Sequence, residues 1–147
     1  MSIFDSFSIN ASGLTAERYR MDVISENIAN IDTTRTEDGT PYRRKLVTFE
    51  EKGKNGTFAS ALAKAKGDYI GGGVRVGKTY EDTETEMKMV YDPSHPDADE
   101  NGYVTYPNVN VITEMTDLID ASRSYEANAT AFSASKSMAV KCLEMAQ

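Results

Sequence analysis

Apolar residues in the first thirty positions fall on one line of a helix. Phe7, Leu14, Met21 and Ile28 recur every seven residues, and Ala11, Ile24 and Ile31 widen the line into a stripe, the pattern of an amphipathic helix. Ser12, Glu17 and Arg20 lie off that stripe. Ser2 with Asp5 resembles a capping box at the start. Asn30 and the Asp32-Thr33-Thr34 run mark the end, because these residues favour turns over continued helix. A helix of about 28 residues extends about 42 Å, longer than a small globular core requires.

The other end of the chain repeats the theme. Val111, Leu118, Tyr125, Phe132 and Ala139 recur every seven residues, with Met115, Ser122, Ala129 and Leu143 interleaved four places on. Small residues such as Ser122 and Ala129 let a neighbouring backbone approach closely. Asn110 is placed to cap a second long helix, and Glu114 and Asp117 suit the positive end of its dipole. Pro107 closes the strand before it.

The middle of the chain has a different period. Tyr42–Phe49, Gly73–Val76, Met87–Tyr91 and Tyr103–Tyr106 read as short strands separated by polar, Gly and Pro residues. Phe58–Lys66, rich in alanine, predicts a short helix stopped by Gly67. The expected fold is α+β: two long terminal helices packed as an antiparallel coiled coil around a small β-rich insert. The division is residues 1–34, 35–107 and 108–147. Two helices cover only part of such stripes with each other, and the remainder calls for another subunit. The alternative is an ordinary two-helix layer on a β sheet.

Charge narrows the function. The formal net charge is −7, which disfavours a nucleic-acid partner, since phosphate binding needs clustered Lys and Arg. Arg43-Arg44-Lys45 is the one compact basic cluster, and a short run of this kind is usually a solvated face. No run of some eighteen apolar residues is present, so the chain is not expected to span a membrane. The first sixteen residues lack the basic start of a secretory signal. Cys142 is the sole cysteine, read as a small apolar residue on a helix.

Two segments imitate ligand sites. Gly72 to Thr79 matches the letters of a phosphate-binding loop, G-x-x-x-x-G-K-[ST], which must follow a buried strand and open a helix. Here the preceding residues are polar, and Thr79–Thr85 is poor helix material. Asp97-Ala98-Asp99-Glu100-Asn101-Gly102 begins like a calcium loop, but its twelfth position is Asn108 where a glutamate is needed. An acidic turn with Gly102 at positive φ is the simpler reading. His95, the only histidine, has no second histidine or nucleophile in support and reads as a loop residue. Glu81, Asp82, Glu84 and Glu86 read as a solvated face or a surface for a basic partner. No enzyme, metal or cofactor is expected.

One motif points further. Ser25-Glu26-Asn27-Ile28-Ala29-Asn30-Ile31-Asp32-Thr33 resembles the S-x-N-x-A-N-x-x-T signature that ends the N-terminal helix in the bacterial flagellar rod and hook axial proteins. Ser25, Asn27, Ala29, Asn30 and Thr33 carry the match. Within that family the chain is most similar to the proximal rod proteins. The closer likeness lies in Gly39-Thr40-Pro41-Tyr42-Arg43, Leu46-Val47-Thr48-Phe49, Gly72-Gly73-Val74-Arg75-Val76, Val90 to Asp99, Gly102-Tyr103-Val104, Pro107 to Val111 and Ala121 to Asn128. It covers essentially the whole chain.

The resemblance implies a structural subunit of the flagellar basal body, exported uncleaved by the flagellar type III apparatus and polymerised in the periplasm. It implies terminal helices that line the tube, with torque passing through them from motor to hook. The partners it implies are other copies of the same subunit, the rod proteins FlgB, FlgF and FlgG, and the basal-body protein FliE. Phe7, Leu14, Met21, Ile28, Leu118, Tyr125 and Phe132 are the expected packing residues of the assembly. Asn27 and Asn30 are expected to fix the exit turn through backbone hydrogen bonds. In dilute monomer both ends are expected to be largely unfolded. A soluble coiled-coil adaptor of the cytoplasm is the alternative.

Overall fold

A computed structural model of the chain describes residues 3–53, 62, 65 and 71–145. Helix α1 spans Ile3–Ala29 and helix α2 spans Val111–Glu144. Between them lie strands β1 (Lys45–Glu51), β2 (Val74–Glu81), β3 (Lys88–Tyr91) and β4 (Tyr103–Tyr106). The chain is therefore α+β in the order expected. Leu62 and Ala65 are helical. The rest of the expected Phe58–Lys66 helix, and Ser2 of the expected capping box, lie outside the described residues.

The capping residues act as their chemistry dictates. Asn110 Oδ1 accepts from the backbone N–H groups of Ile112 and Thr113 at 3.0 and 3.4 Å, closing the first turn of α2. At the end of α1, Asn30 Nδ2 donates to the Glu26 carbonyl at 2.9 Å, and Thr33 N–H donates to the Asn30 carbonyl at 3.1 Å.

The strands form two two-stranded sheets, β1–β2 and β3–β4. Lys52 N–H donates to Gly73 and Asp82 N–H to Arg44, each at 2.8 Å, so β1 and β2 run antiparallel. Strand β2 is longer than the expected Gly73–Val76 and carries Gly77, Lys78 and Thr79 as extended backbone. At its end the Asp82 carboxylate accepts from Glu84 N–H, Thr85 N–H and the Thr85 hydroxyl, closing a tight turn. Strand β3 pairs with β4 so that Val90 opposes Val104 and Tyr91 opposes Tyr103. Val104 is fully buried, while Tyr91 and Tyr103 meet edge to face on the exposed side. Gly102, at φ 80°, supplies the turn expected before β4.

The chain packs as two units, each drawing on parts of both helices. One comprises Met1–Tyr19, Thr48–Gly77 and Ala121–Gln147. In it Phe7 meets Phe132 at 5.1 Å between ring centroids. Further along α1, Gly13 faces Asn128 so closely that an added Cβ would lie 2.8 Å from its Oδ1. Ala16, Ala121 and Ser135 are its buried helix positions. Ser12 Oγ accepts from Val74 N–H at 3.1 Å and donates to the Ile9 carbonyl at 2.6 Å, tying β2 to α1. Gly73 sits against Ser12 at φ 98°, where a Cβ would collide with the Ser12 hydroxyl and lie 3.3 Å from Ile9 Cα. Gly73→Ala is therefore expected to cost about 2–3 kcal/mol from strain and displaced backbone, read as a lower denaturation midpoint.

The second unit comprises Arg20–Val47 and Lys78–Asp120. Its apolar core is Val23, Ile24, Tyr42 and Val104, joined by buried Asn27 and Glu114. Here the structure departs from the heptad reading. The inward positions of α2 are Glu114 in this unit and Ala121 and Ser135 in the other, whereas Met115 is 53% exposed. The second line of α2 is thus displaced by one residue from the expected Met115-Ser122-Ala129. The reason is local chemistry: α1 presents Gly13 to Asn128 and Asn27 to Glu114. Those surfaces admit close backbone approach and a bonded carboxylate, not a methionine.

Candidate functional site

The expected assembly residues share one property. Phe7, Leu14, Met21 and Ile28 on α1, and Leu118, Tyr125 and Phe132 on α2, are all half-buried and none belongs to the buried core. Among them Phe7 and Phe132 are in ring contact. The buried positions of α1 are Ala16, Val23, Ile24 and Asn27. Of these Ile24 belongs to the sequence stripe, Asn27 lies beside it, and Ala16 and Val23 face away from it. One side of α1 packs inside the subunit, and the stripe is left at its edge.

The signature at the end of α1 is built around Asn27, which is 1% exposed. Its carboxamide makes four hydrogen bonds. Nδ2 donates to the Lys45 carbonyl at 2.9 Å and to Glu114 Oε2 at 3.0 Å. Oδ1 accepts from Tyr42 OH and from Lys45 N–H, each at 2.9 Å. Two donor and two acceptor positions are all an amide has, so the group is saturated. Asn27 thereby joins the entry to β1 to the first turn of α2. This is more than the exit-turn role expected of it, which Asn30 fills with Thr33, whose hydroxyl donates to Asn30 Oδ1 at 3.2 Å. Ser25 and Ala29 are exposed, and Ser25 Oγ donates to the Met21 carbonyl at 2.8 Å.

Glu114 is the charged centre of the node and is also 1% exposed. Arg44 Nε donates to its Oε1 at 2.5 Å, and Arg44 Nη2 reaches Asp117 at 3.3 Å. Arg20 on α1 lies 3.9 Å from the same Asp117 carboxylate. A buried carboxylate is tolerable only when paired and hydrogen-bonded, and Glu114 is both. Asn108 closes the periphery: its Oδ1 accepts from Arg44 N–H at 2.8 Å, and its Nδ2 donates to the Asp82 and Thr85 carbonyls.

The basic cluster is consumed here. Arg44 bonds Glu114, Lys45 pairs with Glu26 and lies over the Tyr42 ring at 5.7 Å, and Arg43 reaches the Asp82 carbonyl. It is an internal set of counter-charges rather than the solvated face expected from sequence. Burial, followed by the nearby carboxylates of Glu26, Glu114 and Glu81, pushes the Tyr42 phenol up to about 12. A group with a raised folded pKa binds its proton more tightly folded than unfolded. Its contribution is therefore intact below the ordinary phenol value near 10. Stability is expected to decline between about pH 10 and 12, and Tyr42→Phe to flatten that segment of a pH–stability curve measured by urea denaturation.

The two ligand-like segments take other forms. From Val74 onward the phosphate-loop letters form strand β2, and they open no helix. In the calcium-like run, Asp99 Oδ1 accepts from Asn101 and Tyr103 N–H groups, and Asp97 accepts from the Thr34 hydroxyl and pairs with Arg35. His95 Nδ1 accepts from Asp97 N–H within the same loop. No group of three or more metal-ligating side chains occurs among the described residues, and no helix there is long and apolar enough to cross a membrane.

Sequence reasoning missed Tyr42, Lys45 and Glu114 as partners of Asn27, and Arg44 as the partner of Glu114. The available signal was chemical: a basic triplet in an acidic chain, in a domain with two acidic residues at the start of α2.

Comparison with known proteins fits this architecture. A family profile described as "Flagella basal body rod protein" matches residues 7–35, covering most of α1 and the signature. One described as "Flagellar basal body rod FlgEFG protein C-terminal" matches residues 100–145, covering β4 and α2. The chain is 47% identical to the flagellar basal-body rod protein FlgC of Bacillus subtilis, over 99% of both chains. It is 45% identical to FlgC of Borreliella burgdorferi, over 100% of this chain and 99% of that one. With FlgC of Salmonella typhimurium it shares 39% identity over the full length of both. Identity at this level across nearly the whole length shows that the chain belongs to the FlgC family of flagellar basal-body rod proteins.

Proposed function

We propose that the chain is a structural subunit of the proximal rod of the flagellar basal body, polymerising through its terminal helices and passing torque from motor to hook. The observation that carries this reading is the surplus of apolar helix surface. Leu14, Met21 and Ile28 lie outside the buried core, and Ile112, Met115 and Ile119 are exposed by half or more. Surface of this kind marks an interaction face. The full-length match to FlgC proteins supports the same conclusion.

In this reading residues 1–34 and 108–147 are the assembly arms and 35–107 the insert. The arms pair in opposite senses as a coiled coil. Support comes from each unit taken alone: Phe7 meets Phe132 while Gly13 meets Asn128, and Arg20 meets Asp117 while Asn27 meets Glu114. Partners are other copies, the rod proteins FlgB, FlgF and FlgG, FliE, and the type III apparatus that exports the chain without cleavage. Location is the periplasmic rod. The role is mechanical rather than catalytic.

Cells carrying the tagged chain, separated into cytosol and basal bodies, test this directly. The wild-type chain is expected in basal bodies, and Leu14→Asp/Met21→Lys in the soluble fraction with motility lost. A wild-type chain confined to cytosol would instead support the cytoplasmic adaptor reading.

A further inference from the structure

The second unit carries an exposed apolar face on its small sheet. The register of β3 and β4 sets Met89 opposite Thr105 and Tyr91 opposite Tyr103, and strand alternation puts these four on one face. Val90 and Val104 take the other face, where Val104 is fully buried. Met89, Tyr91 and Tyr103 are 61%, 64% and 43% exposed. Single exposed apolar residues are ordinary, but a contiguous group marks an interaction site.

This face runs into a cleft of about 330 Å³, lined by Tyr103 and Thr105 together with Thr34, Arg35, Asp97 and Asp99. Ligand pockets span roughly 300–1,000 Å³. Pro41 and Pro96 also line the cleft, and their fixed φ keeps its walls preorganised.

Charge around the cleft selects the occupant. Its bordering loops, residues 35–41 and 92–102, hold Glu37, Asp38, Asp92, Asp97, Asp99 and Glu100 against one Lys or Arg, Arg35. Arg35 lies 3.6 Å from Asp97 and offsets that carboxylate. Asp92 and Asp99 accept only from neutral donors, namely Ser94 N–H and hydroxyl, and the N–H groups of Asn101 and Tyr103. Glu37, Asp38 and Glu100 are exposed and in no ion pair among the described residues. Such a rim repels anions and attracts cations. Tyrosine faces beside it favour a cation again, through the ring quadrupole.

We infer that the cleft and the adjoining sheet face dock a basic segment of a partner protein. A lysine or arginine enters beside Asp99, and its apolar stem lies over Tyr103. The occupant is a segment rather than a lone amine because Tyr91 and Met89 lie beyond the cleft lining. They offer area only to a chain that continues past its charged group. The surface uses no residue of α1 or α2, so it is independent of the reading of those helices as assembly elements.

An NMR titration of the isotope-labelled full-length chain tests the site, with the acetylated and amidated peptide Gly-Lys-Arg-Gly-Lys-Arg-Gly as probe. Amide shifts are expected at Arg35, Asp99, Tyr103 and Thr105, with binding that weakens as salt rises. The same peptide with glutamate at each basic position should not bind. Glu37→Gln/Asp38→Asn/Glu100→Gln should weaken binding about tenfold, and Tyr91→Ala several-fold. Glu81→Gln/Glu84→Gln/Glu86→Gln removes as much charge from exposed positions outside the cleft lining and should change affinity by less than about twofold. The Asn27 and Val104 amide signals report that each variant is folded. Absence of binding, or equal losses in the two charge variants, would overturn the site, the second by showing diffuse attraction to an acidic chain. Chitotetraose shifting the same amides while the basic peptide does not would assign the cleft to a neutral glycan and overturn it as well. Each of these results leaves the rod reading standing, since that reading falls only to the fractionation experiment.

Discussion

Asn27→Ala is expected to lower the unfolding free energy by about 3–5 kcal/mol, the largest loss from a single uncharged side chain in this protein. The substitution removes four hydrogen bonds at a position 1% exposed. Their energy is the smaller part of the effect. The Tyr42 hydroxyl, the Lys45 peptide N–H and carbonyl, and one oxygen of Glu114 are all left without that partner. Each buried polar group so orphaned costs about 1–3 kcal/mol, more when it is charged. Asn27→Asp should be worse still, because it exchanges both donated bonds for a carboxylate facing Glu114. Urea denaturation followed by tyrosine fluorescence checks the point, since the chain has eight tyrosines and no tryptophan. A loss below about 1 kcal/mol would mean the amide is not the hub of the node.

Glu114→Ala is expected to cost a similar amount, about 3–5 kcal/mol, for a different reason. It leaves the Arg44 guanidinium, 21% exposed, with Asp117 as its remaining carboxylate here, and frees one Asn27 donor. Breaking one side of a buried ion pair is far costlier than replacing both sides with apolar groups. The informative variant is therefore the double one. Glu114→Leu/Arg44→Met should lose clearly less than the sum of its two singles, with a coupling of more than about 1 kcal/mol in a double-mutant cycle. Additive losses would show that the two side chains act separately.

Periodicity located what depends on local backbone physics. The two long helices, the Asn110 cap, the positive-φ Gly102 and strand β4 all follow from residues within a few positions of one another. Where periodicity failed, distant chemistry decided. Glu114 was legible as a helix-dipole residue, but its burial depends on Asn27 and Arg44, separated from it by 87 and 70 positions. The heptad reading favoured Met115 because methionine is apolar. The structure turns Glu114 inward because its charge is met there. The Arg43-Arg44-Lys45 run shows the same limit: sequence reports that charges are clustered, not whether their partners lie in solvent or across the fold. Strand β2 ran past its expected end because Gly77 and Lys78 carry little apolar signal, yet continue the strand as extended backbone.

The signature asparagines illustrate how a motif and a role come apart. Both were read as turn-fixing groups, and Asn30 is one. Asn27 is buried, and its side chain fixes where β1 begins relative to the first turn of α2. The saturated buried amide thus allows a single register of the entry to β1 against the first turn of α2.

An electron cryomicroscopy map of the intact basal body, at a resolution that shows side chains, tests the central claim most directly. Leu14, Met21 and Ile28 on α1, and Ile112, Met115 and Ile119 on α2, are predicted to be buried against neighbouring subunits of the rod, with Asn27 still bonded to Tyr42, Lys45 and Glu114. A rod in which this chain is present but those six side chains face solvent would contradict assembly through the terminal helices.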